Sequence, residues 1–125
     1  MLFDTDVLIW HLRGQDAATV AIDRARTRQI SVVSWMELLA GARDGTEVEQ
    51  LRRSLRHLDF EILPLTEAIG HRASLYMEQH HLSSGFGPDD ALIAATAVEH
   101  AVELISCNAR HFRPIRQLIL VAFHA

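Results

Sequence analysis

Lysine is missing from this sequence: all twelve basic residues are arginine, which removes every mechanism that needs a lysine. Cysteine is nearly as scarce. Cys107 stands alone, so an internal disulfide is ruled out and a reducing compartment fits. No apolar run approaches the roughly 18 residues of a membrane span, and no charged-then-apolar leader opens the chain. The expectation is a cytoplasmic protein without membrane association. Repeats, linkers and low-complexity tracts are also absent, and the 125 residues are expected to form a single domain, 1–125, with a core of its own. Net charge is −4, so bulk charge does not advertise nucleic-acid binding. Arginine nevertheless suits phosphate recognition through its planar fork of donors. An acidic chain can still bind RNA if carboxylates gather at a metal site and arginines line its rim.

What is present alternates between two periods. Leu2-Phe3 is a short apolar strand that stops at Asp4, and Val7 to Leu12 reads as a helix apolar nearly all round, which must be covered on more than one face. Residues 16–28 have helical spacing. Ile30, Val32 and Val33 read as a buried strand, followed by a helix with Ser34 as N-cap and Glu37 as its capping-box partner. Residues 44–58 form an amphipathic helix with Val48, Leu51, Leu55 and Leu58 inward and Arg52, Arg53 and Arg56 outward. A strand over 60–63 and a helix from Thr66 to about His80-His81 come next, the histidine pair reading as a solvated helix end. The loop 83–88 delivers Asp89-Asp90 to an alanine-rich helix; strands at 102–105 and 118–121 flank a turn with His111 and Phe112. Strands alternating with helices predict a mostly parallel sheet covered on both faces.

Helices antiparallel to their neighbouring strands put helix N-termini and strand carboxyl ends on one edge of such a sheet. Asp4, Glu37, Asp89, Asp90 and Asn108 all fall there, from four separated parts of the chain. Two carboxylates about 5 Å apart repel by roughly 3 kcal/mol at an effective dielectric near 20. A helix N-terminus returns only about 0.3–1 kcal/mol for each. Either some of these acids hold protons, or a divalent cation sits among them. An all-oxygen donor set suits Mg²⁺ or Mn²⁺, not Zn²⁺. Local explanations exist for most members: Glu37 as a capping partner, one of Asp89 and Asp90 as a first-turn acid, and Asn108 as an N-cap. Asp4 has none, because an acid directly after an apolar strand gains little structurally.

These residues resemble the PIN-domain nuclease family, and most closely its VapC-like toxins of type II toxin–antitoxin modules. The resemblance rests on four stretches spread over essentially the whole chain. They are Asp4-Thr5-Asp6-Val7-Leu8-Ile9, Ser34-Trp35-Met36-Glu37-Leu38-Leu39-Ala40-Gly41, the run Asp90 to Ala97, and Ser106-Cys107-Asn108-Ala109-Arg110-His111-Phe112. It implies a three-layer α/β/α fold with strand order 3-2-1-4-5. It implies an endoribonuclease dependent on Mg²⁺ or Mn²⁺, homodimers, and a VapB-like antitoxin that blocks the site within a toxin–antitoxin hetero-oligomer. Carried over by position, Asp4, Glu37 and Asp90 are the metal-site acids. Asn108 takes a fourth place that is Asp in many members, which weakens any second metal ion. Ser106 stands where Thr is common, and Asp6 is a supporting polar group. Arg110 and Arg113 are the expected RNA phosphate contacts, and the helices carrying the apolar first stretch, Trp35 and Leu51 are the expected antitoxin groove.

Two other readings stay open from sequence. One is a catalytically weak PIN-like module that binds RNA or protein, which the neutral Asn108 allows. The other is a haloacid-dehalogenase-type phosphatase, because Phe3-Asp4-Thr5-Asp6 imitates its Asp-x-Asp nucleophile motif. That family continues with Gly-Thr where this chain has Val7-Leu8, and it usually needs a lysine.

Overall fold

The computed structural model describes residues 1–124. Five short strands, β1 (Leu2–Phe3), β2 (Gln29–Ser31), β3 (Glu61–Leu63), β4 (Leu104–Ser106) and β5 (Leu120–Ala122), form one sheet in the order β3-β2-β1-β4-β5. Every pairing between them is parallel. Seven helices connect them among the described residues: α1 (Thr5–Leu12), α2 (Asp16–Arg24), α3 (Val32–Ala40), α4 (Gly45–His57), α5 (Glu67–Ser84), α6 (Pro88–Glu99) and α7 (Ala109–Phe112).

Alternation along each strand splits the core in two, since successive side chains point to opposite faces. Leu2, Leu63 and Leu104 pack on one face with Ile69, Ala73 and Tyr76 of α5 and the alanines of α6. Phe3, Ile30 and Ile105 pack on the other with Val7 and Leu8 of α1, Ile22 of α2 and Leu55 of α4. The α6 alanines at 91, 94, 95 and 97 are fully buried, so this helix lies close against its neighbours. Helix α1 is less completely covered: Val7 and Leu8 are buried, but Ile9, Trp10 and Leu12 remain 36–46% exposed.

Several boundaries differ from the sequence expectation, each for a local reason. Val32 and Val33 are the first turn of α3 and not the end of a strand, because Ser31 accepts a hydrogen bond from the Val33 N–H and caps the helix there. Ser34 is therefore inside the helix, and Glu37 stands a turn further on than a capping-box partner would. Helix α1 begins at Thr5, because Asp4 is itself its N-cap, a local role not expected from the sequence. Helix α2 stops at Arg24. Helix α5 runs past His80-His81 to Ser84 and ends at Gly85, whose φ of 69° is the left-handed conformation glycine adopts without penalty. Of the two histidines there His81 is exposed, as a solvated helix end would be, with its Nδ1 2.9 Å from the Phe86 carbonyl, and the His80 ring meets Phe86 edge-on.

Order β3-β2-β1-β4-β5 means that the chain winds one way from β1 and then returns to its other side. The switch point lies between β1 and β4, where open α/β sheets form a crevice at the strand carboxyl ends. Phe86, fully buried just before α6, packs edge-to-face on Phe112 of α7 with ring centroids 5.9 Å apart. This pair joins the segments on the far side of the crevice. Phe86→Ala should lower stability by about 3–5 kcal/mol in urea unfolding. A Phe86→Leu, Phe112→Leu cycle should show about 0.5–1.5 kcal/mol of coupling between the rings.

Candidate active site

The β1–β4 register builds the centre of the site. Leu2 pairs with Leu104 and Phe3 with Ile105, so the next residues along, Asp4 and Ser106, emerge side by side. Ser106 donates to Asp4 Oδ2 at 2.7 Å, and the Thr5 N–H donates to Asp4 Oδ1 at 2.8 Å. Asp4 is only 6% exposed. Ser106 also accepts from the Asn108 N–H at 2.9 Å, which bends the chain after β4 back over the site. Asp6, in the first turn of α1, accepts from the Cys107 N–H at 3.2 Å and holds the same loop from the other side.

Glu37 arrives from α3. Thr5 Oγ1 lies 2.9 Å from Glu37 Oε1 and 2.8 Å from Ser34 Oγ. With a single proton to give, Thr5 donates to the ionised carboxylate and accepts from Ser34. Asp90 is the third residue of α6; its Oδ2 accepts from the Gly87 N–H at 3.4 Å and stands 4.0 Å from His111 Nδ1. Asp89 beside it is exposed. Asn108 precedes α7 but its side chain caps nothing, so the N-cap explanation for it does not hold. Arg110 and Arg113 are exposed on and just after α7, with no bond to the acids.

The electrostatics are those of an anionic cluster short of counter-charge. Burial, then the charge of Asp6, pushes Asp4 up to about 7, against the opposing pull of the Ser106 and Thr5 hydrogen bonds; Asp90 adds a further push. Asp6 is raised by burial, against the backbone bonds it accepts. Glu37 is raised by partial burial and by Asp89, Asp90 and Asp6, while Thr5 pulls it down. Asp90 is raised by burial and then Asp89, with His111 opposing. Ion pairs among the described residues give these acids no arginine, only His111 against Asp90. Cys107 is pushed up to about 12, first by burial and then by Asp6 and Asp4, so it stays a thiol and offers no soft thiolate ligand.

Asp90 thus stands close enough to both Asp4 and Glu37 to push their protonation up, and Asp6 acts on all three. Yet no three His, Cys, Asp or Glu side chains among the described residues stand as a ready-made ligand group. The donor set itself (carboxylates, one amide carbonyl, no thiolate) fits a hard divalent cation. Thr5 and Ser34 belong to the site and were not singled out from sequence; the signal for Thr5 was its position directly after Asp4.

The chain is similar to known proteins in sequence and in fold. Residues 1–117 match the PIN domain family. The chain is 40% identical over 124 residues to ribonuclease VapC10 of Mycobacterium tuberculosis, covering 94% of this chain and 90% of that one. It is 34% identical over 119 residues to ribonuclease VapC19 of the same organism, covering 89% and 90%. A chain in a toxin–antitoxin complex from Klebsiella pneumoniae superposes with a TM-score of 0.81 at 30% identity, over 96% of this chain and 94% of that one.

The protonation of Asp4 has a measurable consequence. Between its ordinary value of 3.8 and about 7, the folded metal-free chain holds a proton that the unfolded chain does not. That stability is fully present below the unfolded value and is lost as pH rises through the folded one. Chemical denaturation in EDTA should find the protein more stable at pH 5 than at pH 8, with Asp4 contributing about 2–3 kcal/mol. Asp4→Asn should flatten this dependence.

Proposed function

This chain belongs to the PIN-domain family, and from that premise we propose that it is a divalent-metal-dependent endoribonuclease, the toxin of a type II toxin–antitoxin module. The observation that carries the reading is the set of acids at the switch point. Asp4, Glu37 and Asp90 converge on the crevice from three elements, and no arginine among the described residues pairs with them. Such a set raises folding free energy unless protons or a cation complete it. The relatives named as ribonucleases support RNA as the substrate.

Asp4, Glu37 and Asp90 would hold Mg²⁺ or Mn²⁺, with the free Asn108 side chain as a neutral fourth oxygen donor. A divalent ion bound there supplies charge neutralisation at the scissile phosphodiester and makes water a better nucleophile at neutral pH. The chain supplies the rest. Ser106 and the Thr5 N–H fix the orientation of Asp4, and Asp6 holds the Cys107–Asn108 turn in place. Arg110 and Arg113 contact the RNA phosphates flanking the cleaved bond. The reaction is hydrolysis, leaving 5′-phosphate and 3′-hydroxyl ends.

Inhibition by a VapB-like partner is the second half of the proposal. A groove of about 530 Å³ runs between α1, α3 and α4, floored by Ile9, Leu12, Leu38 and Leu51, and Glu37 stands on its wall. The exposed apolar side of α1 thereby shares a groove with Glu37, one of the acids of the site. A partner segment seated in the groove reaches Glu37 and closes the site to RNA.

Purified chain freed of partner should cut RNA with Mn²⁺ present, stop in EDTA, and lose at least about 100-fold in rate as Asp4→Asn. A 2′,3′-cyclic phosphate product overturns the hydrolytic mechanism. No cleavage of a broad RNA panel favours the binding-module reading that Asn108 leaves available. Removing Arg110 and Arg113 together should weaken RNA binding and flatten its salt dependence by roughly one to two phosphate contacts. Leu51→Arg should release the protein partner, read by co-purification, while RNA cleavage by the separated chain persists.

A further inference from the structure

Thr5 touches two of the acids assigned to the metal site, and it does so with different atoms. Its backbone N–H donates to Asp4 Oδ1 at 2.8 Å, and its hydroxyl lies 2.9 Å from Glu37 Oε1. Behind it, Ser34 Oγ is 2.8 Å from the same hydroxyl. Thr5 is 5% exposed and Ser34 is fully buried, so this chain of hydroxyls is shielded from water. Ser34 and Glu37 are three residues apart on α3, and therefore share the face turned to Thr5.

Glu37 needs such a contact more than the other acids do. Asp4 is short, buried and bonded through both oxygens. Glu37 is long and exposed, and Asp89, Asp90 and Asp6 all repel it. Left free, it would swing out into solvent, away from the acids it is meant to join. Mutual satisfaction of two buried hydroxyls requires only the Ser34–Thr5 contact. The additional contact to an exposed carboxylate is what that explanation leaves over.

We infer that Thr5, seated by Ser34, is a positioning residue that holds the Glu37 carboxylate turned toward Asp4, so that the two acids are presented together to a divalent cation. The inference rests on the metal-site reading above and adds to it the residue that orients its most mobile ligand. Partners beyond the direct ligands typically govern metal affinity by 10- to 100-fold. Because Thr5 acts through Glu37, its contribution vanishes when Glu37 is gone.

The test is Mn²⁺ binding to the isolated full chain by calorimetry, with no RNA present. Thr5→Val should weaken Mn²⁺ about tenfold, while Thr5→Ser, which keeps the hydroxyl, stays close to the unmodified chain. In a Glu37→Ala background, Thr5→Val should produce no further loss. Equal affinity in Thr5→Val and the unmodified chain overturns the inference, as does the same loss with and without Glu37. Should Thr5→Val not fold, Thr5→Ala against Thr5→Ser reads the same hydroxyl. If Glu37→Ala binds Mn²⁺ as tightly as the unmodified chain, the metal-site reading itself falls and takes this one with it. If Glu37→Ala weakens binding and Thr5→Val does not, only the positioning role is lost.

Discussion

Everything at the carboxyl edge of this sheet depends on keeping one aspartate, Asp4, ionisable in a place where water is nearly excluded. Two short hydrogen bonds, from Ser106 and from the Thr5 N–H, oppose the burial that would otherwise neutralise it. The Ser106 hydroxyl is there only because β1 and β4 are adjacent and in register, whereas the Thr5 N–H comes from the next residue along the chain. The parallel pairing at the switch point is thus at once a fold feature and an electrostatic one. Asp6 and the Ser106 bond to the Asn108 N–H extend the same logic outward by fixing the turn after β4.

The two faces of the sheet serve different ends. The α5–α6 face is closed, with alanines that let α6 lie near its neighbours and an aromatic pair tying its start to α7. A rigid start to α6 gives Asp90 a fixed origin. The other face leaves the apolar side of α1 open beside α3 and α4, and its groove leads to Glu37. One face fixes Asp90; the other carries Glu37 on α3 and offers an open apolar surface beside it.

Much of this was legible beforehand. Alternating periodicities gave the order of strands and helices, and the run of acids after strands or at helix starts gave their common edge. The boundaries were less legible where chemistry was locally degenerate. Ser31 and Ser34 are both plausible caps, and β-branched Val32 and Val33 favour a strand by propensity. The Val33 N–H bond to Ser31 decided for helix. This moved Glu37 out of a capping role, leaving its side chain to the crevice. His81 is exposed, as expected, but its bond to the Phe86 carbonyl depends on a loop geometry that spacing does not encode.

By itself the sequence determined the chemical vocabulary of this protein: a single cysteine, arginine without lysine, and a first apolar strand ending in an acid. It also determined the layered α/β class, because alternation and helical period are properties of the chain alone. Only the tertiary structure decided which groups meet. Thr5 and Ser34 lie 29 residues apart and Asp4 and Ser106 lie 102 apart, and each pair is within 2.8 Å because strands and helices pack in one register and no other. Hydrogen bonds act over a few ångströms, and folding, not spacing along the chain, sets such distances.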